Sequence, residues 1–158
     1  MSSAILCPRQ TILPDWIDYN GHLNMAYYHV LFDRALDHVF DQLGIGEDYT
    51  RSGAGSAFTV QVHVNYLREL SLHDPVQVRF RLLDHDAKRM HFFEEMLHAE
   101  EGWLAATSEQ MSLHVSMATR RSAPFPDAVI ARLAELQEAH ASLPRPPQVG
   151  SVIGIRRG

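Results

Sequence analysis

Cysteine is nearly absent. Cys7 stands alone in 158 residues, so no disulfide can close within the chain, as suits a reducing compartment. Basic runs are missing too: 14 Lys and Arg against 19 Asp and Glu leave a net charge of −5, which argues against nucleic acid as the main partner. No apolar stretch approaches the ~20 residues that a membrane-spanning helix needs. The opening MSSAILCPRQ has neither the basic start nor the apolar length of a secretory signal, which predicts a cytoplasmic protein. The ten histidines include no His-Glu-x-x-His pattern and no Cys/His cluster, so no metal is expected. GAGSA at 53–57 is not a G-x-S-x-G elbow, and no fixed base or positive neighbour is legible beside Cys7.

What the chain does have is a change of hydrophobic period. Ile5 to Leu13 reads as a first strand, ended by Pro14. From Asn24, the apolar residues Met25, Tyr28, Phe32, Leu36, Val39 and Leu43 recur every three or four positions. That spacing predicts an amphipathic helix of about five turns, capped by Asn24 and stopped at Gly44. TRSGAGSA at 50–57 reads as a loop. The segments 58–67, 75–86, 88–100 and 102–117 then alternate apolar and polar residues with short breaks between them. They predict four consecutive strands in an antiparallel meander. A second helix begins near Pro126, and the Pro/Gly-rich tail 144–158 is expected to pack on the surface through Val149, Val152, Ile153 and Ile155. Neither a repeat nor a domain boundary is visible. The expectation is one α+β domain over residues 1–158, with the sheet wrapped around a single central helix.

Asp18-Tyr19-Asn20-Gly21-His22 lies between the first strand and the long helix. Asp, Asn and Gly are turn formers, and a carboxylate there complements the helix dipole. The same geometry also serves chemistry. A helix N-terminus offers free N–H groups to a developing oxyanion, and a carboxylate held beside it can act as nucleophile or general base.

DYNGHLNMAYYHVLFDRA at 18–35 resembles the Asp-x-x-Gly-His-x-Asn signature of hotdog-fold acyl-CoA thioesterases of the 4-hydroxybenzoyl-CoA thioesterase type. The likeness extends over roughly Ile5 to Ser116. It implies an antiparallel sheet around one long helix, no cofactor, and Asp18 rather than Asp15 as the catalytic carboxylate. The backbone N–H groups around Asn24 and Met25 would polarise the thioester carbonyl, and His22 would orient Asp18 or the substrate. Pairing of family members through sheet edges implies a homodimer or a dimer of dimers.

HVNYLRELSLHDP, the segment from Asp84 to Val115, RRSAPFP and the late Ile-Gly-Ile are similar to betainyl-CoA thioesterases of carnitine breakdown. A trimethylammonium acyl group is bound by aromatic faces. Trp16, Tyr19, Tyr27, Tyr28 and Tyr66 are the candidate faces, each also a candidate for ordinary packing. Arg68, Arg89 and Arg120 are candidate partners for CoA phosphates. The alternative is a non-catalytic hotdog module that binds acyl-CoA or a related ligand.

Overall fold

A computed structural model describes residues 3–158. The periodic segment forms helix α1, Met25–Leu43, with Tyr28, Leu31, Phe32, Ala35, Leu36, Val39 and Leu43 buried. The Asn24 side chain caps its start by accepting from the Ala26 N–H at 2.9 Å. Gly44 ends it at φ +83°, a left-handed conformation that glycine enters without a Cβ penalty.

Five antiparallel strands form one sheet: β1 (Ile5–Leu6), β2 (Ser56–Tyr66), β3 (Val76–His85), β4 (Arg89–His98) and β5 (Leu104–Val115), in the order β1-β3-β4-β5-β2. The inner face carries Val78, Phe80, Leu82, Met90, Phe92 and Met96 against the buried stripe of α1. Burying that stripe is what holds the helix across the sheet. Fully buried Glu94 interrupts the apolar face. Its Oε2 accepts from Gln110 at 3.0 Å, and its Oε1 has no partner among the described residues. Burial, reinforced by the charge of Asp33, pushes its carboxyl well above the ordinary range.

The sequence-based topology needs correction in four places. Only β3, β4 and β5 form a meander, because β2 pairs with β5 rather than β3. The nine residues 67–75 carry the chain over the end of the sheet, where a hairpin would need a tight turn. The first strand ends at Leu6 rather than Leu13: Pro8 supplies no N–H to the ladder, and pairing resumes only at Gln10, opposite Val76. The span 14–16 is a single 3-10 turn, and the loop expected over 50–57 shrinks to 52–55, because a short helix α2 (Glu47–Arg51) takes its first two residues and β2 its last two.

The fourth correction concerns the tail. Helix α3, Asp127–His140, follows Pro126 as anticipated. The Arg81 guanidinium holds the turn beyond it, donating to the Leu143 carbonyl at 3.2 Å and also to that of Pro144. The tail then crosses the outer face of the sheet to Gly150, whose N–H donates to Glu109 on β5 at 2.7 Å. Beyond that contact Val152, Ile153 and Ile155 are 83–88% exposed, not packed on this chain.

Candidate active site

The loop from Asp18 to His22 is shaped by its own backbone. The Asp18 N–H donates to the His22 carbonyl at 3.1 Å, and the Gly21 N–H returns to the Asp18 carbonyl at 3.0 Å. Gly21 sits at φ +86°, where a side chain would be strained. Ile17 and Leu23 form a bridge beneath the turn, and the Leu23 N–H donates to the Leu70 carbonyl at 2.7 Å. The turn is thereby pinned at both ends. Half-buried Asp18 faces the head of α1. One carboxylate oxygen accepts the Asn20 N–H at 2.8 Å, and the other accepts from Asn24 Nδ2 at 3.4 Å. Asn24 therefore joins two tasks, the helix cap and the setting of the carboxylate.

These groups line a cleft of about 470 Å³. Segment 18–25 forms one wall, and Tyr66, Leu67, Arg68 and Glu69 form the other. The Tyr66 hydroxyl donates to the Met25 carbonyl at 3.1 Å, tying the end of β2 to the first residue of α1. Tyr28 stands edge-on to Tyr66, 5.0 Å between centroids, and its hydroxyl accepts the Leu70 N–H at 3.3 Å. Burial raises both phenols above their ordinary range, so both are neutral near pH 7. The cleft thus sets a carboxylate, a helix N-terminus and two phenol rings around one volume. That combination can attack a carbonyl carbon and receive the charge that develops on its oxygen.

The oxyanion donors must be narrowed. The Asn24 N–H is occupied by the Trp16 carbonyl at 2.9 Å, and the Ala26 N–H by the Asn24 side chain. The Met25 N–H has no partner among the described residues. His22 lines the cleft, but its Nε2 lies 3.3 Å from Glu69 Oε2, and no side-chain bond joins it to Asp18. Its part in fixing Asp18 is through its backbone carbonyl. The Glu69 partnership was hidden in the sequence, where nothing in the local pattern ties two residues 47 positions apart.

Other candidates divide between the cleft and the frame. Tyr19 lines the cleft and is 98% exposed. Trp16 is buried and Tyr27 half-buried; they stack at 5.4 Å with Arg34 over the indole, away from the cleft, because the 3-10 turn folds Trp16 back onto α1. Arg68 lines the cleft, its guanidinium 4.0 Å from the centroid of Trp103. Arg89 pairs with Asp86 at 2.7 Å in the β3–β4 turn, and Arg120 lies exposed in the turn after β5 at φ +57°. Neither lines the cleft of its own chain. Cys7 is buried under α1, and burial pushes its thiol to about 12, which removes it as a nucleophile. No group of three or more His, Cys, Asp or Glu among the described residues could hold a metal ion.

A family model described as the thioesterase-like superfamily matches residues 12–133. The chain is 41% identical over 155 residues to a betainyl-CoA thioesterase of Pseudomonas aeruginosa, covering 98% of each chain. It is 37% identical over 142 residues, 90% of its length, to an L-carnitine dehydrogenase/betainyl-CoA thioesterase of Rhizobium meliloti, and spans 28% of that protein. Among solved structures, a Staphylococcus aureus protein in complex with CoA is similar at a TM-score of 0.89 and 31% identity, with 98% of both chains covered. A 1,4-dihydroxy-2-naphthoyl-CoA thioesterase of Synechocystis, 16% identical, shares the fold at a TM-score of 0.70 over 89% of this chain and 99% of that one. The sheet and its central helix are those of a hotdog-fold thioester hydrolase. The chain belongs to the thioesterase-like superfamily.

Proposed function

We propose that this protein hydrolyses betainyl-CoA to glycine betaine and CoA, a step of carnitine breakdown, without a cofactor. The observation that carries the chemistry is Asp18, held by Asn20 and Asn24 beside the unpartnered N–H of Met25 at the head of α1. Asp18 delivers the attack on the thioester carbonyl carbon, either with its own oxygen or through a water it deprotonates. The carbonyl oxygen takes the negative charge and is received by the Met25 N–H and the positive end of the helix dipole. Collapse expels the CoA thiolate, a good leaving group because thiols ionise far more readily than alcohols. If Asp18 itself has bonded to the acyl carbon, a water then hydrolyses the resulting anhydride and restores the carboxylate.

The acyl group supports the same reading. Its quaternary nitrogen lies two bonds from the carbonyl carbon, so it stays within the cleft at the aromatic wall of Tyr28 and Tyr66. Asp18 and Glu69 add negative charge to that volume. Arg68, exposed on the cleft lining, suits a CoA phosphate. Edge strand β2 is eleven residues long and unpaired on its outer side, with Phe58, Val60 and Val62 exposed. An edge of that kind supports pairing with a second copy in a homodimer. We place the protein in the cytoplasm on the reading of its sequence.

Release of free thiol from betainyl-, acetyl-, longer-chain and aromatic acyl-CoA tests the proposal. Betainyl-CoA should be hydrolysed most efficiently. Asp18→Asn should lower kcat by about 10²–10⁴, with KM changed far less. Preference for another acyl group would discard the carnitine connection. Full activity in Asp18→Asn would move the chemistry elsewhere. Binding without thiol release would mark a ligand-binding module instead.

A further inference from the structure

The last eight residues carry three branched aliphatics, Val152, Ile153 and Ile155, all 83–88% exposed. The direction of the tail gives this meaning. It leaves β3, where Arg81 holds the Leu143 and Pro144 carbonyls, and passes to β5, where Glu109 holds the Gly150 N–H. In the sheet order β3-β4-β5-β2, only β2 lies ahead. Crossing that strand takes about 5 Å, whereas eight extended residues reach roughly 26 Å. The arm therefore has far more chain than its own sheet can cover.

The tail runs on the outer face, because Glu109 alternates with inner-facing Ser108 and Gln110, which sit with buried Glu94. On β2 the register puts Phe58, Gln61 and His63 on this outer face, opposite Leu113, Met111 and Glu109. Phe58 is 42% exposed, and both ring nitrogens of His63 are buried without a hydrogen-bond partner among the described residues. Beyond β2 the ladder is open.

We propose that the C-terminal arm of each chain clasps a second copy of the same chain. Val152, Ile153 and Ile155 then lie on the outer face of that copy's β2, over its Phe58. This rests on the β2-edge homodimer proposed above. A second β2 added to the first continues the sheet, so an arm travelling from β3 toward β2 runs straight onto the neighbour's outer face. The arm and the edge present apolar surface to the same place. By symmetry the contact is made twice, which suits a closed twofold dimer.

The test uses full-length chains in a Cys7→Ala background, so that introduced cysteines alone react. Chains carrying only Gln61→Cys are mixed with chains carrying only Ile155→Cys, allowed to exchange, and treated with a short bis-maleimide, each thiol adding across one maleimide double bond. A covalent product joining the two kinds of chain is expected. The double substitution Val152→Asp, Ile155→Asp should raise the dimer dissociation constant at least tenfold by sedimentation equilibrium. A stable dimer with no mixed product and no effect of the aspartates would overturn the clasp and leave the edge pairing standing. Crosslinking within single chains that carry both cysteines, at high dilution, would show the arm folding on its own sheet and would also overturn it. A monomeric full-length protein would remove both the edge pairing and the clasp.

Discussion

Asn24 offers a way to separate fold from chemistry with two substitutions at one position. Its Oδ1 caps α1 through the Ala26 N–H at 2.9 Å, and its Nδ2 reaches Asp18 at 3.4 Å. Serine keeps a cap acceptor and loses the amide donor; alanine loses both. Loss of the cap costs about 1 kcal/mol, which for a chain of this size lowers Tm by about 2–4 °C. A hydrogen bond to a charged group contributes about 1.5–3 kcal/mol. At 3.4 Å the lower figure applies, about a tenfold loss of rate. Asn24→Ser keeps the cap, so its Tm is expected to fall less than that of Asn24→Ala, while kcat is expected to fall about tenfold. Asn24→Ala should show the same kinetic loss together with the lower Tm. Thermal denaturation and thiol-release kinetics on the same preparations give both readings. Full kcat in Asn24→Ser would refute the idea that the amide sets the carboxylate. A kcat loss confined to Asn24→Ala would mean that the helix end, not Asp18, is what Asn24 serves.

Three further outcomes are expected. Tyr66→Phe breaks the bond to the Met25 carbonyl and should lower Tm by about 2–4 °C, the effect of roughly 1 kcal/mol; an unchanged Tm would show that this tie does not hold the cleft. Glu94 has its folded carboxyl raised well above the 4.5 of the unfolded chain, so its contribution to stability is full below that value and is lost as pH rises through the folded value. Glu94→Gln cannot ionise, so its Tm relative to wild type should climb as pH rises above the ordinary carboxyl range, and parallel pH profiles would refute the assignment. The Cys7 thiol, raised to about 12 and buried, should resist maleimide in the native protein and react once in denaturant; rapid native labelling would contradict its burial.

The residues that a reader of the sequence could name were those whose roles are local. Asn24 and Gly44 announce the ends of α1 by residue type alone, and the helix runs between them as expected. Asp18 was singled out over Asp15 by resemblance to a thioesterase signature rather than by local pattern, and the fold places it in the cleft beside the head of α1. What escaped notice depends on distant partners. The pairing of β2 with β5 rather than β3 is decided by burial across the whole sheet, to which alternation along one strand is blind. Trp16 and Tyr27 have the composition of a cation cage, yet their shared stack follows from a 3-10 turn that no periodicity signals. Glu69 beside His22, and the occupied Asn24 N–H, required the fold to bring 16, 22, 24 and 69 together.

The two walls of the cleft come from segments about forty residues apart, 18–25 and 66–69, joined by the Tyr66 hydroxyl at the Met25 carbonyl, the His22–Glu69 contact and, one residue further on, the Leu23 N–H at the Leu70 carbonyl. In the proposed reaction the attacking carboxylate belongs to one wall, and the acyl group leans on the other. Substitutions at Leu67 and Arg68, which make neither tie, can therefore alter what is accepted while the carboxylate and the helix end stay as they are. A lineage built on this scaffold can diversify its thioesters by drift in one short stretch, without passing through inactive ancestors. Its members would share the first wall and differ in the second.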